Sequence, residues 1–142
     1  MINKLQRPGF PATSGSNVDK ATSDLVVEMM NAGTKLHITH LLVTGVGSYA
    51  AHKALNDIYD ALPDHADTIA EAYQGASEKL LAYGEVSLPT IRTKDEAVSY
   101  LRSLYGKVNN LQSMMPYSEI VNELDNVKSS INSAKYKLIF LQ

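Results

Sequence analysis

The feature that most limits the fold of this chain is the spacing of its apolar residues. From residue 21 onward, four segments carry apolar side chains at alternating intervals of three and four, the period of an amphipathic α-helix. The four stripes run from Leu25 to Val43, Ala51 to Leu80, Ala97 to Leu111 and Ile120 to Leu138. No long stretch alternates apolar and polar residues, so we expect no β-sheet. Four such helices bury their stripes most simply against one another, which predicts an all-α four-helix bundle.

Glycine, proline and capping residues indicate where these helices end or begin. Gly45 follows the first stripe and Gly84 the second, and each is expected to terminate its helix. Thr93 and Glu96 have the spacing of a capping box, which predicts the start of the third helix. Pro63 lies inside the second stripe, where it removes a backbone donor, so we expect a kink or a local break there.

The N-terminal segment differs in composition from the rest of the chain. Residues 1–20 contain two prolines and two glycines and lack helical periodicity, which predicts an irregular arm before a bundle spanning residues 21–142. A chain of 142 residues fits one domain of this kind. The arm has no apolar stretch typical of a secretory signal, and no apolar run in the chain is long enough to span a bilayer. We therefore expect a cytoplasmic protein with no membrane contact.

Composition excludes several classes of chemistry. The chain has no cysteine, so disulfides, thiolate metal sites and cysteine nucleophiles are absent. The net charge is -2, which provides no general positive field for nucleic acid. The arm offers only Lys4, Arg7 and Lys20 as cations, so we do not expect DNA binding.

Histidines and carboxylates that could bind a metal are concentrated on the first two helices. His37 and His40 share one side of the first helix, but no third ligand is near them in sequence. On the second helix, spacings of three and four align a polar row beside the apolar stripe, formed by His52, Asn56, Tyr59, Pro63, Asp67, Glu71 and Gln74. Such a row is typical of a subunit contact or a metal site, although a lone histidine is more often a hydrogen-bonded interface residue. His65 falls outside the row and is expected at the surface or at a helix interface.

Helix geometry separates the possible ligands of this row. At a rise of 1.5 Å per residue, His52 and Asp67 are about 22 Å apart along one helix, so one ion cannot contact both within one chain. Two copies that pair their second helices antiparallel across a two-fold axis would bring His52 of one chain to Asp67 and Glu71 of the other. His40 on the adjacent helix could complete each of two identical clusters.

Three motifs in these helices resemble a known family. They are LHITHLLVTG at residues 36–45, LNDIYDAL at residues 55–62, preceded by His52, and ADTIAEA at residues 66–72. They are similar to the LHxxHWxxxG, HxxFxxLY and DxIAER patterns of the mini-ferritins related to Dps, the DNA-binding protein from starved cells. Residues 117–141 are similar to the last helix of that family, so the resemblance covers more than half of the chain.

The resemblance implies a ferritin-like four-helix bundle assembled as a homo-oligomer on a two-fold dimer, commonly a dodecamer. It implies an iron-binding protein that oxidises Fe(II) with hydrogen peroxide or oxygen, sequesters Fe(III) and protects against peroxide. The metal ligands would be His40 and His52 from one subunit and Asp67 and Glu71 from its partner. Zinc or manganese could occupy the same ligands. The chain has no Glu-x-x-His pair, so the di-iron site that other ferritins build inside one subunit is not expected.

Differences from the family pattern support an alternative function. The family has tryptophan at the position of Leu41 and an acidic residue at the position of Asn56. The connection from Gly84 to Thr93 is too short for the family's crossover helix. The alternative is a non-catalytic ferritin-like structural or accessory protein, for example of a bacteriophage. A DNA-compacting protein without iron activity is a third hypothesis.

Overall fold

The computed structural model describes residues 16–142, which contain four helices and no strand. The helices are α1 (Asn17–Leu42), α2 (Ser48–Ser77), α3 (Lys94–Met114) and α4 (Ser118–Phe140). The all-α prediction is therefore confirmed. Residues 1–15 of the predicted arm lie outside the described residues. The prediction that the arm extends to residue 20 was wrong, because α1 begins at Asn17. The Ser16 hydroxyl accepts a hydrogen bond from the Asp19 N–H and caps the helix.

The apolar stripes of the four helices meet in one core. Helix α1 packs against α2 and α3, and α4 also packs against both α2 and α3. The largest fully buried side chains come from all four helices: Met29, Leu36, Leu55, Ile58, Leu62, Ile69, Leu101, Leu104, Leu111, Ile120, Leu124 and Ile131. This is the bundle that the spacing predicts. Among the helices of residues 16–142, none combines the length and the apolar character needed to cross a membrane.

The crossover between α2 and α3, residues 78–93, runs along α1 without forming a helix of its own. Asn31, Lys35 and Thr39 lie one turn apart on α1 and donate side-chain hydrogen bonds to crossover carbonyl groups. The acceptors are, in the same order, Val86, then Leu88 and Pro89, then Ile91. The crossover therefore follows α1 towards its C-terminal end, and α3 starts beside that end and runs antiparallel to α1.

Helix α2 ends earlier than the sequence predicts. It ends at Ser77 rather than near Gly84, and the next residue has a left-handed backbone with φ 55°. The Gln74 side chain accepts a hydrogen bond of 2.9 Å from the Leu81 N–H, which turns the chain back towards the bundle. As a result Leu81 is buried, while Leu80, expected at the end of the apolar stripe, is 51% exposed.

Helix α2 continues through Pro63, so the local break expected there is absent. Proline lacks the N–H that would bind the Tyr59 carbonyl group. Gly33 of α1 lies against this position, where a Cβ atom would be 2.7 Å from Pro63 Cγ and 3.1 Å from the Tyr59 oxygen. Because Gly33 has no side chain, the two helices approach closely and cover the proline.

Two predicted boundaries are confirmed. Helix α1 ends at Leu42, and the chain turns through Gly45 with φ 85°. At the start of α3, the Thr93 hydroxyl accepts a hydrogen bond of 3.1 Å from the Glu96 N–H. The Glu96 carboxylate in turn accepts a hydrogen bond from the Arg92 N–H. Both ends follow from local residue chemistry, which is why the sequence was sufficient to find them.

Candidate metal centre at the α1–α2 corner

His40 and His52 meet where α1 turns into α2, and we call these two residues the imidazole pair. His40 lies in the last turn of α1, and His52 lies in the second turn of α2. The connecting turn contains Gly45 and Gly47, whose φ angles of 85° and 78° favour glycine. This turn brings the two rings into a stack with centroids 3.5 Å apart and planes inclined by 25°.

Reciprocal hydrogen bonds fix the orientation of both rings. His40 Nδ1 donates to the His52 carbonyl oxygen at 2.8 Å, and His52 Nδ1 donates to the His40 carbonyl oxygen at 3.1 Å. Carbonyl oxygens only accept, so both Nδ1 atoms carry hydrogen, and each neutral ring keeps its lone pair on Nε2. A neutral imidazole with a backbone-bound Nδ1–H and a lone pair on Nε2 is in the form that coordinates metals.

Tyr59 of the polar row packs beside the imidazole pair. Its ring stacks on His37 at 4.0 Å and meets the edge of His40 at 5.2 Å between centroids. The Tyr59 hydroxyl donates a hydrogen bond of 2.8 Å to the Asn56 side-chain oxygen, and the Asn56 amide donates to Asp60. Asn56 is thus engaged within its own helix. The sequence placed both residues in the row, but helical spacing alone did not predict these contacts.

The environment of the imidazole pair suits a cation near a protein contact. His40 is only 7% exposed and lies at the C-terminal end of α1, where the helix dipole favours positive charge. Apolar side chains on the adjoining surface are strongly exposed, including Leu41 at 69%, Val46 at 89% and Tyr49 at 77%. Leu41 lies at the end of α1, Val46 in the connecting turn and Tyr49 at the start of α2.

Asp67 and Glu71 lie at the other end of the polar row and are exposed. His52 and Asp67 are fifteen positions apart on one continuous helix, about 22 Å, so one chain does not unite the four predicted ligands. Neither carboxylate forms a hydrogen bond or ion pair with any of residues 16–142. Within that part of the chain, no group of three or more histidine or acidic residues could hold a metal ion. The four-ligand metal site therefore stays a prediction that requires a second copy.

Two buried carboxylates away from the corner are already fully paired. Burial alone would raise the pKa of Asp19, but hydrogen bonds from Lys79, Tyr73 and the Ser16 N–H lower that pKa below its ordinary value. Glu28 accepts hydrogen bonds from Tyr100 and Lys107. Their lone pairs are used inside the bundle, so neither residue is a candidate ligand. The spacing of residues in the sequence predicts neither network, because the partners are far apart along the chain.

The phenols in these two networks are shifted as well. Burial, and then the Asp19 carboxylate, raise the pKa of Tyr73 well above its usual range. Burial, followed by the charge of Glu28, raises the pKa of Tyr100 in the same direction. Both tyrosines therefore stay neutral donors to their carboxylates at any physiological pH.

Comparisons with known proteins support the architecture. The crystal structure of Dps92 from Deinococcus radiodurans is similar, with a TM-score of 0.58 over 85% of this chain and 82% of that chain, at 16% sequence identity. At this identity the likeness establishes the fold alone, and it confirms the ferritin-like four-helix bundle. No curated protein matches this chain. Residues 42–138 match the model of a family described as "Family of unknown function (DUF5856)".

Proposed function

This chain belongs to DUF5856, a family of unknown function, and we propose that it binds Fe(II) between two copies of itself and oxidises it. In this proposal, hydrogen peroxide or oxygen accepts the electrons, and the protein sequesters the Fe(III) product. The observation that carries the proposal is the imidazole pair, because both rings are held by backbone carbonyl groups with Nε2 left for a ligand.

The donor chemistry fits iron as a substrate. Imidazole nitrogen and carboxylate oxygen are suitable ligands for Fe(II), and carboxylates also hold Fe(III). His40 and His52 would bind the ion, and the partner copy's carboxylates at the positions of Asp67 and Glu71 would neutralise its charge. Each hydrogen peroxide takes two electrons, one from each of two Fe(II) ions, and becomes two water molecules after accepting two protons.

The arrangement of the polar row specifies how two copies would pair. The midpoint between His52 and the two carboxylates falls between residues 59 and 62 of α2. A two-fold axis through an antiparallel α2 pair must therefore cross the helix there. Asp60 is exposed at this position and would face the same residue of the partner copy.

Disulfide formation tests this pairing directly, because the natural chain has no cysteine. The variant Asp60→Cys is expected to form a disulfide-linked dimer rapidly under mild oxidation. Thr68→Cys is the matched control, since Thr68 is also exposed on α2 but points about 100° away from Asp67. Equal crosslinking at both positions, or crosslinking only at residue 68, would overturn the antiparallel arrangement.

Iron oxidation is tested by anaerobic loading with Fe(II) followed by peroxide. We expect rapid oxidation in the natural chain and in His37→Ala, a control that removes an exposed imidazole outside the proposed ligand set. The double variant His40→Ala/His52→Ala should lose it, as should Asp67→Asn/Glu71→Gln. Equal oxidation rates in all four proteins would exclude the ferroxidase.

Mixing the two inactive variants distinguishes a shared site from a site within one chain. In a mixed dimer, one site combines both sets of substitutions, but the other has natural histidines from one copy and natural carboxylates from the other. Co-expression should therefore restore oxidation in the mixed dimers. If purified mixed dimers remain inactive, the ligands do not come from two chains.

A non-catalytic ferritin-like structural protein is the second candidate. Asn56 stands where the resemblance implies an acidic residue, and its side chain is bound to Tyr59 and Asp60. An amide is a weaker ligand for iron than a carboxylate, which favours a scaffold without oxidation. Dimer formation together with unchanged, slow oxidation in every variant would support this candidate.

A further inference from the structure

A second polar cluster lies on the opposite side of α2, in the seam with α4. His65 Nδ1 donates a hydrogen bond of 2.7 Å to Glu123 Oε1, and His65 Nε2 lies 3.0 Å from Ser130 Oγ. The Asn126 amide donates to the second oxygen of Glu123 at 3.0 Å. The three central side chains thus form a continuous chain of hydrogen bonds from a carboxylate through an imidazole to a hydroxyl.

The carboxylate determines which ring nitrogen can accept a proton. Glu123 only accepts, so His65 carries its hydrogen on Nδ1, and the lone pair of the neutral ring lies on Nε2. When the ring is neutral, the Ser130 hydroxyl donates to Nε2. A hydroxyl that donates to an imidazole held by a carboxylate has the geometry of an activated nucleophile.

We propose that Ser130 is a nucleophile that accepts acyl groups from small activated esters, with His65 as general base and Glu123 as positioning residue. The site is reachable, since the side chains of His65 and Glu123 are 17% and 20% exposed and Ser130 is half-buried. It is separate from the α1–α2 corner, and the inference does not depend on iron binding.

The proposed reaction transfers one acyl group. Ser130 Oγ forms a bond to the ester carbonyl carbon as His65 Nε2 takes the hydroxyl proton. The bond to the leaving aryl oxide breaks, and the aryl oxide takes that proton from Nε2, which leaves acyl-Ser130 and a phenol. Water then hydrolyses the acyl-serine to a carboxylic acid and restores the hydroxyl by the same proton route.

The surrounding helices limit the substrate class. Backbone N–H groups in the middle of α2 and α4 are already bonded within the helices, so they cannot form an oxyanion hole. Loss of one oxyanion donor typically costs about 10²–10³-fold in rate, so esters with poor leaving groups and amides are excluded as substrates. Aryl esters, whose phenolate leaves easily, fit this site.

The test is reaction of the full chain with p-nitrophenyl acetate, followed by nitrophenol release and peptide mass spectrometry. We expect a stoichiometric burst and an acetyl group on Ser130. His65→Gln should slow the burst roughly a hundredfold, the usual contribution of a general base. Ser129→Ala, which removes the exposed neighbouring hydroxyl, should react normally.

Two further variants distinguish activation of Ser130 from a purely structural role of Glu123 and from direct attack of His65 on the ester. Glu123→Gln should slow acylation and change the shape of its pH–rate profile, whereas a merely structural bridge would change only the melting temperature. A full burst in Ser130→Ala would mean that His65 itself is acylated and would overturn the proposal. Equal acetylation of Ser129 and Ser130, in protein of natural helical content, would also overturn it.

Discussion

The α1–α2 hairpin carries a polar cluster near each end, and the two clusters differ in how fully their hydrogen-bonding atoms are used. Near the start of α1, the Asp19 carboxylate accepts from Ser16, Tyr73 and Lys79 and is almost completely buried. At the corner, the imidazole pair forms hydrogen bonds with other groups of residues 16–142 through its Nδ1 atoms alone. The Asp19 cluster, which we call the saturated cluster because its carboxylate oxygens are already hydrogen-bonded, can stabilise the hairpin but has no acceptor left for a ligand. The imidazole pair forms fewer hydrogen bonds and should contribute less to stability, and its Nε2 atoms are the ones proposed as ligands.

The sharpest test of this contrast removes one member of each cluster. Asp19→Ala leaves the Tyr73 hydroxyl and Lys79 without their acceptor and should lower the free energy of unfolding by about 2–3 kcal/mol. This figure is discounted because the Lys79 side chain is 34% exposed. His52→Ala removes one part-buried hydrogen bond and should lower the free energy of unfolding by about 1 kcal/mol. Urea unfolding measures both, and equal losses would contradict the distinction between the two ends.

Between the two clusters, substitution of Gly33 tests how closely α1 and α2 must pack. Gly33→Ala places a Cβ 2.7 Å from Pro63 Cγ and should destabilise by about 1–3 kcal/mol through overpacking. Gly106→Ala is the matched control, because this glycine lies within α3 and no other atom of the described residues would come within 4 Å of its added Cβ. It should instead stabilise by about 0.5–1 kcal/mol through helix propensity. Thermal unfolding of both variants gives the comparison.

Acid should remove the contribution of Asp19 to stability. The folded-state pKa of Asp19 lies below 3.8, so its contribution to stability is complete above that pH and is lost as pH falls through the folded pKa. The difference in unfolding free energy between the natural chain and Asp19→Asn should therefore be constant near neutrality and shrink below about pH 3.8. A difference that grows in acid would reverse the assigned sign.

The smallest effect is expected at the phenol beside the imidazole pair. Tyr59→Phe keeps the ring stacked on His37 and removes only the hydrogen bond to Asn56, which is part-buried. The loss should be about 0.5–1 kcal/mol, and ultraviolet spectroscopy with chemical denaturation can measure it. A loss as large as that of Asp19→Ala would show that the corner is held as tightly as the saturated end.

The sequence predicted the bundle because apolar spacing is a property of each helix alone. Gly45 and the Thr93–Glu96 pair were also readable, since they act within one turn. The end of α2 was missed because the Gln74 side chain, rather than a glycine, turns the chain. This hydrogen bond joins residues seven positions apart and does not depend on the apolar period, so apolar spacing does not predict it.

Helical spacing likewise predicted some features of the candidate site and missed others. Spacing placed His52, Asp67 and Glu71 in one row of α2, with His52 about 22 Å from Asp67, and placed His40 on α1. It did not predict that each imidazole would bond to the backbone of the other, since this depends on the turn through Gly45 and Gly47. For the same reason, the approach of Glu123 and Ser130 to His65 across α2 and α4 was visible only in three dimensions.

The crossover along α1 bears on how this chain avoids misassembly. A protein made of two helical hairpins joined by one connection can exchange a hairpin with another copy when that connection swings free. The crossover is held against α1 of the same chain by hydrogen bonds from the side chains of Asn31, Lys35 and Thr39. These hydrogen bonds hold the second hairpin beside the first, which favours a bundle completed within one chain over the exchange of hairpins between copies.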